Sequence, residues 1–180
     1  MMMYPLIKAY LKRLLPFYRG SNGSIRKELL EDDTLLRTLF DAEQYNPRAG
    51  TLEKLAIPTS DLQKRGLSLD IKRLAKKVII QDRIEIQQKK AQEKNGINDT
   101  TRKDIYIAEL SNPEVRQVTD PQGNILFGTA YNPIEGNDAH SVITCVKKEE
   151  KKAYYVMARN KLEPLLLKRL MHFNDYKFND

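Results

Sequence analysis

Cysteine is scarce in this sequence, since Cys145 is its single instance in 180 residues. One thiol cannot build a disulfide framework, and such scarcity is typical of a reducing compartment. No apolar run of about eighteen residues or more occurs, which argues against a membrane-spanning helix. The apolar N-terminus is interrupted by Lys8, Lys12 and Arg13 and is followed by no small-residue cleavage site, so it does not fit a signal peptide. We therefore expect a cytoplasmic protein.

The common catalytic and cofactor motifs are also missing. The sequence has no Walker loop, no G-x-G-x-x-G, no C-x-x-C and no H-E-x-x-H. Their absence removes the usual grounds for naming a nucleotide-dependent enzyme or a zinc enzyme. We expect no cofactor and no metal, and a non-enzymatic role is favoured over an enzymatic one.

Charged residues, by contrast, are abundant, at 31% of the chain with a net charge of +7. The charge alternates in blocks, basic in residues 1–30, 63–103 and 147–180 and acidic in residues 31–62 and 104–146. Blocks of opposite sign can neutralise each other, which leaves little free positive field for phosphate. Pairing within one chain and pairing between subunits both fit this pattern.

In the first half of the chain, apolar residues recur at helical spacing. They predict helices over residues 25–30 and 35–40, and a longer basic helix over residues 71–94 that ends at Asn95-Gly96. Between these helices, residues 67–69 alternate like a brief strand.

In the second half, apolar residues alternate with polar ones, which is typical of strands. The first predicted strand begins at Ile105 and a weaker one lies near Val115. Further strands are predicted over residues 125–131, 140–146 and 153–158. Short turns rich in Pro, Gly and Asn join them, so an antiparallel sheet is the simplest arrangement.

A final helix carries an apolar stripe that includes Leu162, Leu166 and Phe173. The expected fold is therefore α+β, with a helical N-terminal half, an antiparallel sheet of three to five strands in the C-terminal half, and a C-terminal helix over that sheet. We expect residues 1–20 to form an amphipathic N-terminal helix and residues 24–180 to form a single domain.

The first candidate site is the pair Asp138 and His140, at the entrance to a predicted strand. Two residues apart on a strand, they would face the same side and could act as an acid/base pair or as two metal ligands. Cys145, five residues beyond His140, would face the other side and is expected to be buried. The alternative interpretation is structural, with loop side chains bonding the backbone and His140 hydrogen-bonded at the strand edge.

The second candidate site is the apolar stripe of the N-terminal helix. Leu6, Tyr10 and Leu14 share one face and would be costly to expose in a lone monomer. They predict binding to a protein partner or self-association.

The third candidate site is the basic helix. Lys72, Lys76 and Arg83 approximately line up on it and could contact phosphates. No aromatic residue lies between Tyr45 and Tyr106, so bases would find no stacking platform there. Any nucleic-acid binding by this helix would be independent of sequence, and a solvated helix is the simpler interpretation.

Three segments resemble a pattern found in short bacterial proteins of unassigned function. They are IPTSD at Ile57–Asp61, RGLSLD at Arg65–Asp70 and the stretch from Asn132 to Ser141 that ends in D-A-H-S. The resemblance implies a bacterial accessory protein of the kind encoded beside a larger effector, such as a defence or mobile-element system, and it transfers no catalytic residue.

The favoured hypothesis is an accessory or adaptor subunit that binds a protein partner in a larger bacterial assembly. One alternative is a small metal-dependent hydrolase or nuclease centred on Asp138 and His140. Another is a module that binds nucleic acid without sequence specificity through the helix over residues 71–94.

Overall fold

The computed structural model of this protein describes residues 28–96 and 102–178. The predicted N-terminal helix over residues 1–20, with Leu6, Tyr10 and Leu14, lies outside the described residues. No helix within the described ranges combines the length and the apolar character needed to cross a bilayer.

The described residues form eight strands, three α-helices and two short turns of other helix types. The strands are β1 (Thr34–Phe40), β2 (Tyr45–Asn46), β3 (Thr51–Leu52), β4 (Leu67–Ile71), β5 (Ile105–Ser111), β6 (Phe127–Tyr131), β7 (His140–Cys145) and β8 (Leu170–His172). The helices are α1 (Lys77–Asn95), α2 (Asn112–Arg116) and α3 (Lys152–Lys168), with a π-helical turn at Asp61–Arg65 and a 3-10 turn at Phe173–Asp175.

Six of these strands form one antiparallel sheet, in the order β6-β7-β4-β1-β5-β8. β1 pairs with β5 along its whole length, from Thr34 opposite Ser111 to Phe40 opposite Ile105. β1 and β4 are joined more sparsely, by two residue pairs at one end of the strands. β2 and β3 form a separate hairpin.

Helices cover both faces of the sheet, which makes a three-layer α+β domain. On one face, α3 buries Tyr155, Ala158, Leu162 and Leu166 within the larger core cluster. On the other face, α1 and the C-terminal segment form a smaller cluster. That cluster contains Leu36, Ala75, Ile80, Ile84, Ile105, Ile107, Ala139, Phe173 and Tyr176.

The predicted helical N-terminal half and the predicted sheet of three to five strands are wrong. Residues 34–40 form the central strand β1, whose Leu35 and Leu39 face α3 while Leu36 and Phe40 face α1. A strand buried on both faces is apolar at consecutive positions, so its pattern can be taken for that of a helix. The long helix lies in the middle of the chain and begins at Lys77, because the residues up to Ile71 continue β4.

Two predicted strands of the second half are also helical. The segment near Val115 is α2, and residues 153–158 lie inside α3. Tyr155, Ala158 and Leu162 are buried at intervals of three and four residues, which is the period of one helix face. Pro164 lies at an exposed position in the interior of α3, where its missing N–H removes one intrahelical hydrogen bond.

Candidate functional site

The sparse pairing between β1 and β4 creates the feature from which the site is built. The ladder between these strands ends at Leu36 opposite Asp70, and beyond that point a side chain hydrogen-bonds to the backbone instead. The guanidinium of Arg37 donates from Nη1 to the Ser68 carbonyl oxygen (2.8 Å) and from Nη2 to the Ala56 carbonyl oxygen (3.1 Å). We call this region, where Arg37 replaces strand pairing, the β1–β4 gap.

Gln44 stabilises the end of β1 in a similar way. Its Oε1 accepts from the Phe40 N–H (3.1 Å), and its Nε2 donates to the Leu55 carbonyl oxygen (3.3 Å). Backbone groups that a neighbouring strand would normally satisfy are thus bonded by polar side chains. These side chains satisfy backbone groups that face the gap.

A cavity of about 280 Å³ lies between the β1–β4 gap and α1. Three of its lining residues are arginines, one is a carboxylate, and the rest are apolar or neutral polar. They are Leu36, Arg37, Thr38, Phe40, Gln44, Ser68, Leu69, Asp70, Ile80, Arg83, Ile84, Gln87 and Arg102. The cavity therefore combines an apolar wall with an excess of positive groups.

The composition of α1 explains why this space is not filled. Of its 19 residues, only Ile80, Ile84 and Ala91 are buried. Val78 and Ile86 are exposed. A helix with so narrow an apolar stripe cannot cover the sheet surface beneath it completely. Polar side chains of β1 and β4, rather than further apolar ones, occupy the uncovered part.

Asp70 and Arg83 form the ion pair that links the sheet to α1. The Nη1 and Nη2 groups of Arg83 donate to the two carboxylate oxygens of Asp70, at 3.1 and 2.5 Å. Asn137 donates from Nδ2 to Asp70 Oδ1 (2.7 Å). Asp70 is only 3% exposed, and such a buried carboxylate requires these partners.

Arg102 lies at another wall of the cavity and is held by several contacts. It forms an ion pair with Glu43 (2.8 Å) and donates from Nη1 to the backbone and side-chain oxygens of Gln87, each at 3.0 Å. Its guanidinium also lies 5.3 Å from the ring centroid of Phe40. The charge of Arg102 is therefore balanced by a carboxylate, as is that of Arg83.

Arg37 differs from the other two arginines because, within the described residues, no carboxylate lies within ion-pair distance of it. Asp61 and Asp70 attract it at longer range, but Asp61 is paired with Arg65 (2.8 Å) and Asp70 with Arg83. Burial dominates and lowers the pKa of Arg37 to about 10, so it remains cationic at neutral pH. Within the described residues, Nε of Arg37 is buried without a hydrogen-bond partner, as is Nε of Arg83.

The two residues of the predicted pair, Asp138 and His140, lie in different environments. Asp138 is exposed in the turn before β7, while His140 is buried as the first residue of that strand. Asp138 lies outside the strand, so the alternation that would place it on the same face as His140 does not apply to it. His140 donates from Nδ1 to the Asn132 carbonyl oxygen (2.5 Å), and its neighbour across the strands is Asp70.

Cys145 lies on the sheet face opposite His140, as predicted, and is buried in the α3 cluster. In residues 28–96 and 102–178, no three His, Cys, Asp or Glu side chains are grouped so that they could hold a metal ion. The cavity, and not the loop before β7, is where polar groups converge.

The predicted nucleic-acid contacts do not share one helix face, because Lys72 and Lys76 precede α1. Lys72 pairs with Glu109 (2.5 Å) and lies 5.5 Å from the ring centroid of Tyr176. Lys76 is exposed, and Arg83 pairs with Asp70. Of these residues, only Arg83 reaches the cavity.

Sequence reasoning missed Arg37, Gln44 and Arg102. A usable signal was the arginine inside LLRTLF, since a charged residue within a buried apolar strand needs a specific partner.

Comparison with protein-family models, curated proteins and solved structures gave no match to this chain. The geometry of the cavity is therefore the basis for the functional proposal.

Proposed function

We propose that this protein is a non-enzymatic binding protein that holds a small molecule in the cavity between α1 and the β1–β4 gap. The observation that carries the proposal is the cavity itself, of about 280 Å³. Binding sites for small molecules are typically concavities of roughly this size or larger, with apolar walls and a few polar groups that fix orientation. Here Leu36, Ile80 and Ile84 form apolar wall, and Thr38 and Gln87 are among the polar groups.

The charged groups of the cavity favour binding over chemistry. A general base needs a free lone pair within reach of the substrate. Asp70, the carboxylate among the lining residues, already accepts from Arg83 on both oxygens and from Asn137 on one. Its environment is that of a structural ion pair.

Indole, a small neutral aromatic compound, tests the proposal by protein NMR. Titration should shift the methyl signals of Leu36, Ile80 and Ile84, because these side chains line the apolar wall. The Ser68→Leu substitution, at an exposed position beside the gap, should block the shifts by occluding the cavity.

The matched control is Ser60→Leu, since Ser60 is also exposed but does not line the cavity. This variant should bind indole as the unsubstituted protein does. Shifts confined to other parts of the molecule, or equal binding by both variants and the parent, would contradict the proposal.

A further inference from the structure

We infer that the natural ligand of this cavity is a small organic anion, a carboxylate or a phosphate ester on an apolar body, whose charged group is bound by Arg37. The inference rests on the proposed function, because it takes the cavity as the binding site. It adds the chemical class of the ligand and the residue that recognises it.

The first argument is the balance of charge around the cavity. Arg83 is neutralised by Asp70 and Arg102 by Glu43, at ion-pair distances of 2.5 and 2.8 Å. Arg37 has no carboxylate at ion-pair distance among the described residues, and Asp61 and Asp70 attract it only at longer range. One anionic group in the cavity would complete the pairing.

The second argument is the cost of partly burying Arg37 in its present state. Its guanidinium donates to two neutral backbone carbonyl oxygens, and its buried Nε has no hydrogen-bond partner within the described residues. A buried cation is expensive unless it is paired and hydrogen-bonded. The unused donors of a guanidinium match the oxygens of a carboxylate or a phosphate, which it binds in a planar fork.

The remaining lining residues indicate what the anionic group is attached to. Leu36, Ile80 and Ile84 offer apolar surface in the same space as Arg37. Inorganic ions would leave that surface wet, whereas an apolar or aromatic body would cover it. The hydroxyls of Thr38 and Ser68 lie nearby and can donate further hydrogen bonds to an oxyanion.

Isothermal titration with three matched compounds tests the inference on the full chain. Benzoate and phenyl phosphate carry the two oxyanions on an aromatic ring, and benzamide is the neutral counterpart of benzoate. At low salt, at least one of the anions should bind about tenfold or more tightly than benzamide, because hydrogen bonds to charged groups are stronger than neutral ones. Whichever anion is preferred identifies the oxyanion.

The Arg37→Gln substitution should abolish the preference for the anions and leave the affinity for benzamide largely unchanged. Arg48→Gln is the matched control, since Arg48 is exposed in the β2–β3 turn and does not line the cavity. Arg37→Lys keeps the charge but loses the fork, so it should retain part of the preference. Circular dichroism confirms that each variant is folded before it is titrated.

The outcomes separate this inference from the proposed function. If benzamide and both anions bind the unsubstituted protein equally well, the inference is overturned while the cavity remains a binding site. If the anions bind but Arg37→Gln and Arg48→Gln behave alike, Arg37 is not the recognition group and the inference is likewise overturned. If neither the anions nor neutral indole binds, the proposed function itself fails. The comparison on the unsubstituted protein does not depend on any variant folding.

Discussion

Asp70 shows at the scale of single residues how this fold handles buried charge. The carboxylate lies at the centre of the sheet and is held by the fork of Arg83 from α1 and by the amide of Asn137. Removing one partner of such a pair leaves the charge of the other buried and unpaired. The stability lost is then usually larger than the stability that the intact pair contributes. Asp70 is thus a structural residue of the cavity wall.

We expect Asp70→Asn to lower the free energy of unfolding by about 3 kcal/mol, because the buried fork of Arg83 loses its counter-charge. Urea denaturation at neutral pH measures this change. The control is Asp82→Asn on the exposed side of α1, which should alter stability by less than about 0.5 kcal/mol. Equal, small effects at the two positions would show that the Asp70–Arg83 pair is not important for stability.

Cys145 provides a prediction about pH. Burial raises the pKa of its thiol from 9.0 to about 11. Between these values the unfolded chain has lost the thiol proton while the folded chain keeps it, so the folded state binds more protons and its stability falls as pH rises. The contribution is complete below pH 9.0 and is lost as pH approaches about 11. Burial raises the pKa of Tyr154 to about 12, so ionisation of this tyrosine adds to the loss of stability at the upper end of the pH range.

Urea denaturation at a series of pH values from neutral to alkaline checks this prediction for Cys145. Cys145→Ala should show a shallower loss of stability over the same range, since it has no thiol to ionise. The difference between the two slopes reports the thiol together with the part of the Tyr154 shift that the charge of the thiol causes. Identical slopes would mean that the thiol of the folded protein titrates as it does in the unfolded chain.

At the scale of whole elements, local pattern predicted some segments correctly and misassigned others. Strands β5, β6 and β7 lie where alternation placed strands. β1 was taken for a helix because both its faces are buried, which removes the alternation that marks a strand. The brief strand predicted over residues 67–69 is the start of β4.

The candidate site depends on contacts that local pattern does not contain. Arg83 was predicted to contact phosphate because its neighbours are basic, yet its partner is Asp70, across the helix–sheet interface. The β1–β4 gap exists only because β1 is placed between β4 and β5, an order set by long-range packing. No periodicity within β1 or α1 indicates that a cavity separates them.

Gly66 provides a test of how closely elements approach each other at the start of β4. Its φ is +92°, and a Cβ built there would lie 2.7 Å from Cβ of Val142 on β7. Gly66→Ala should therefore lower stability both through backbone strain and through a clash with the neighbouring strand.

Gly96 is the matched control, because its φ is +104° while no atom of the described residues lies within 4 Å of a Cβ built there. Gly96→Ala should cost only the backbone strain, and Gly66→Ala should cost about 1–3 kcal/mol more because of overpacking. Thermal and urea denaturation of the two variants give the comparison. Equal losses would show that β4 and β7 have room to adjust.

At the scale of the whole molecule, the alternating charge blocks pair within one chain. Lys72 joins the basic block 63–103 to Glu109 of the acidic block 104–146. Arg73 and Arg102 of that same basic block pair with Asp33 and Glu43 of residues 31–62. Much of the positive charge is thus committed to intramolecular contacts, which reduces what remains for a phosphate backbone.

The hypothesis that the protein is an adaptor concerns a segment that lies outside the described residues. That proposal depends on Leu6, Tyr10 and Leu14, whose spacing in the sequence predicts an apolar stripe. On this hypothesis, deleting residues 1–15 should abolish association with itself or with a co-purifying partner, while the domain predicted over residues 24–180 stays folded.

Light scattering and co-purification measure association, and circular dichroism measures folding. In the full chain, replacing Leu6, Tyr10 and Leu14 with serine should reproduce the effect of the deletion, because the apolar stripe alone is removed. Replacing Lys8, Lys12 and Arg13 with serine is the matched control, since it changes as many residues of the same segment but leaves the stripe intact. If the stripe variant keeps the mass and the partners of the parent while the charge variant loses them, the contact is electrostatic and the predicted apolar docking is wrong. If neither variant changes association, the segment is not a docking element.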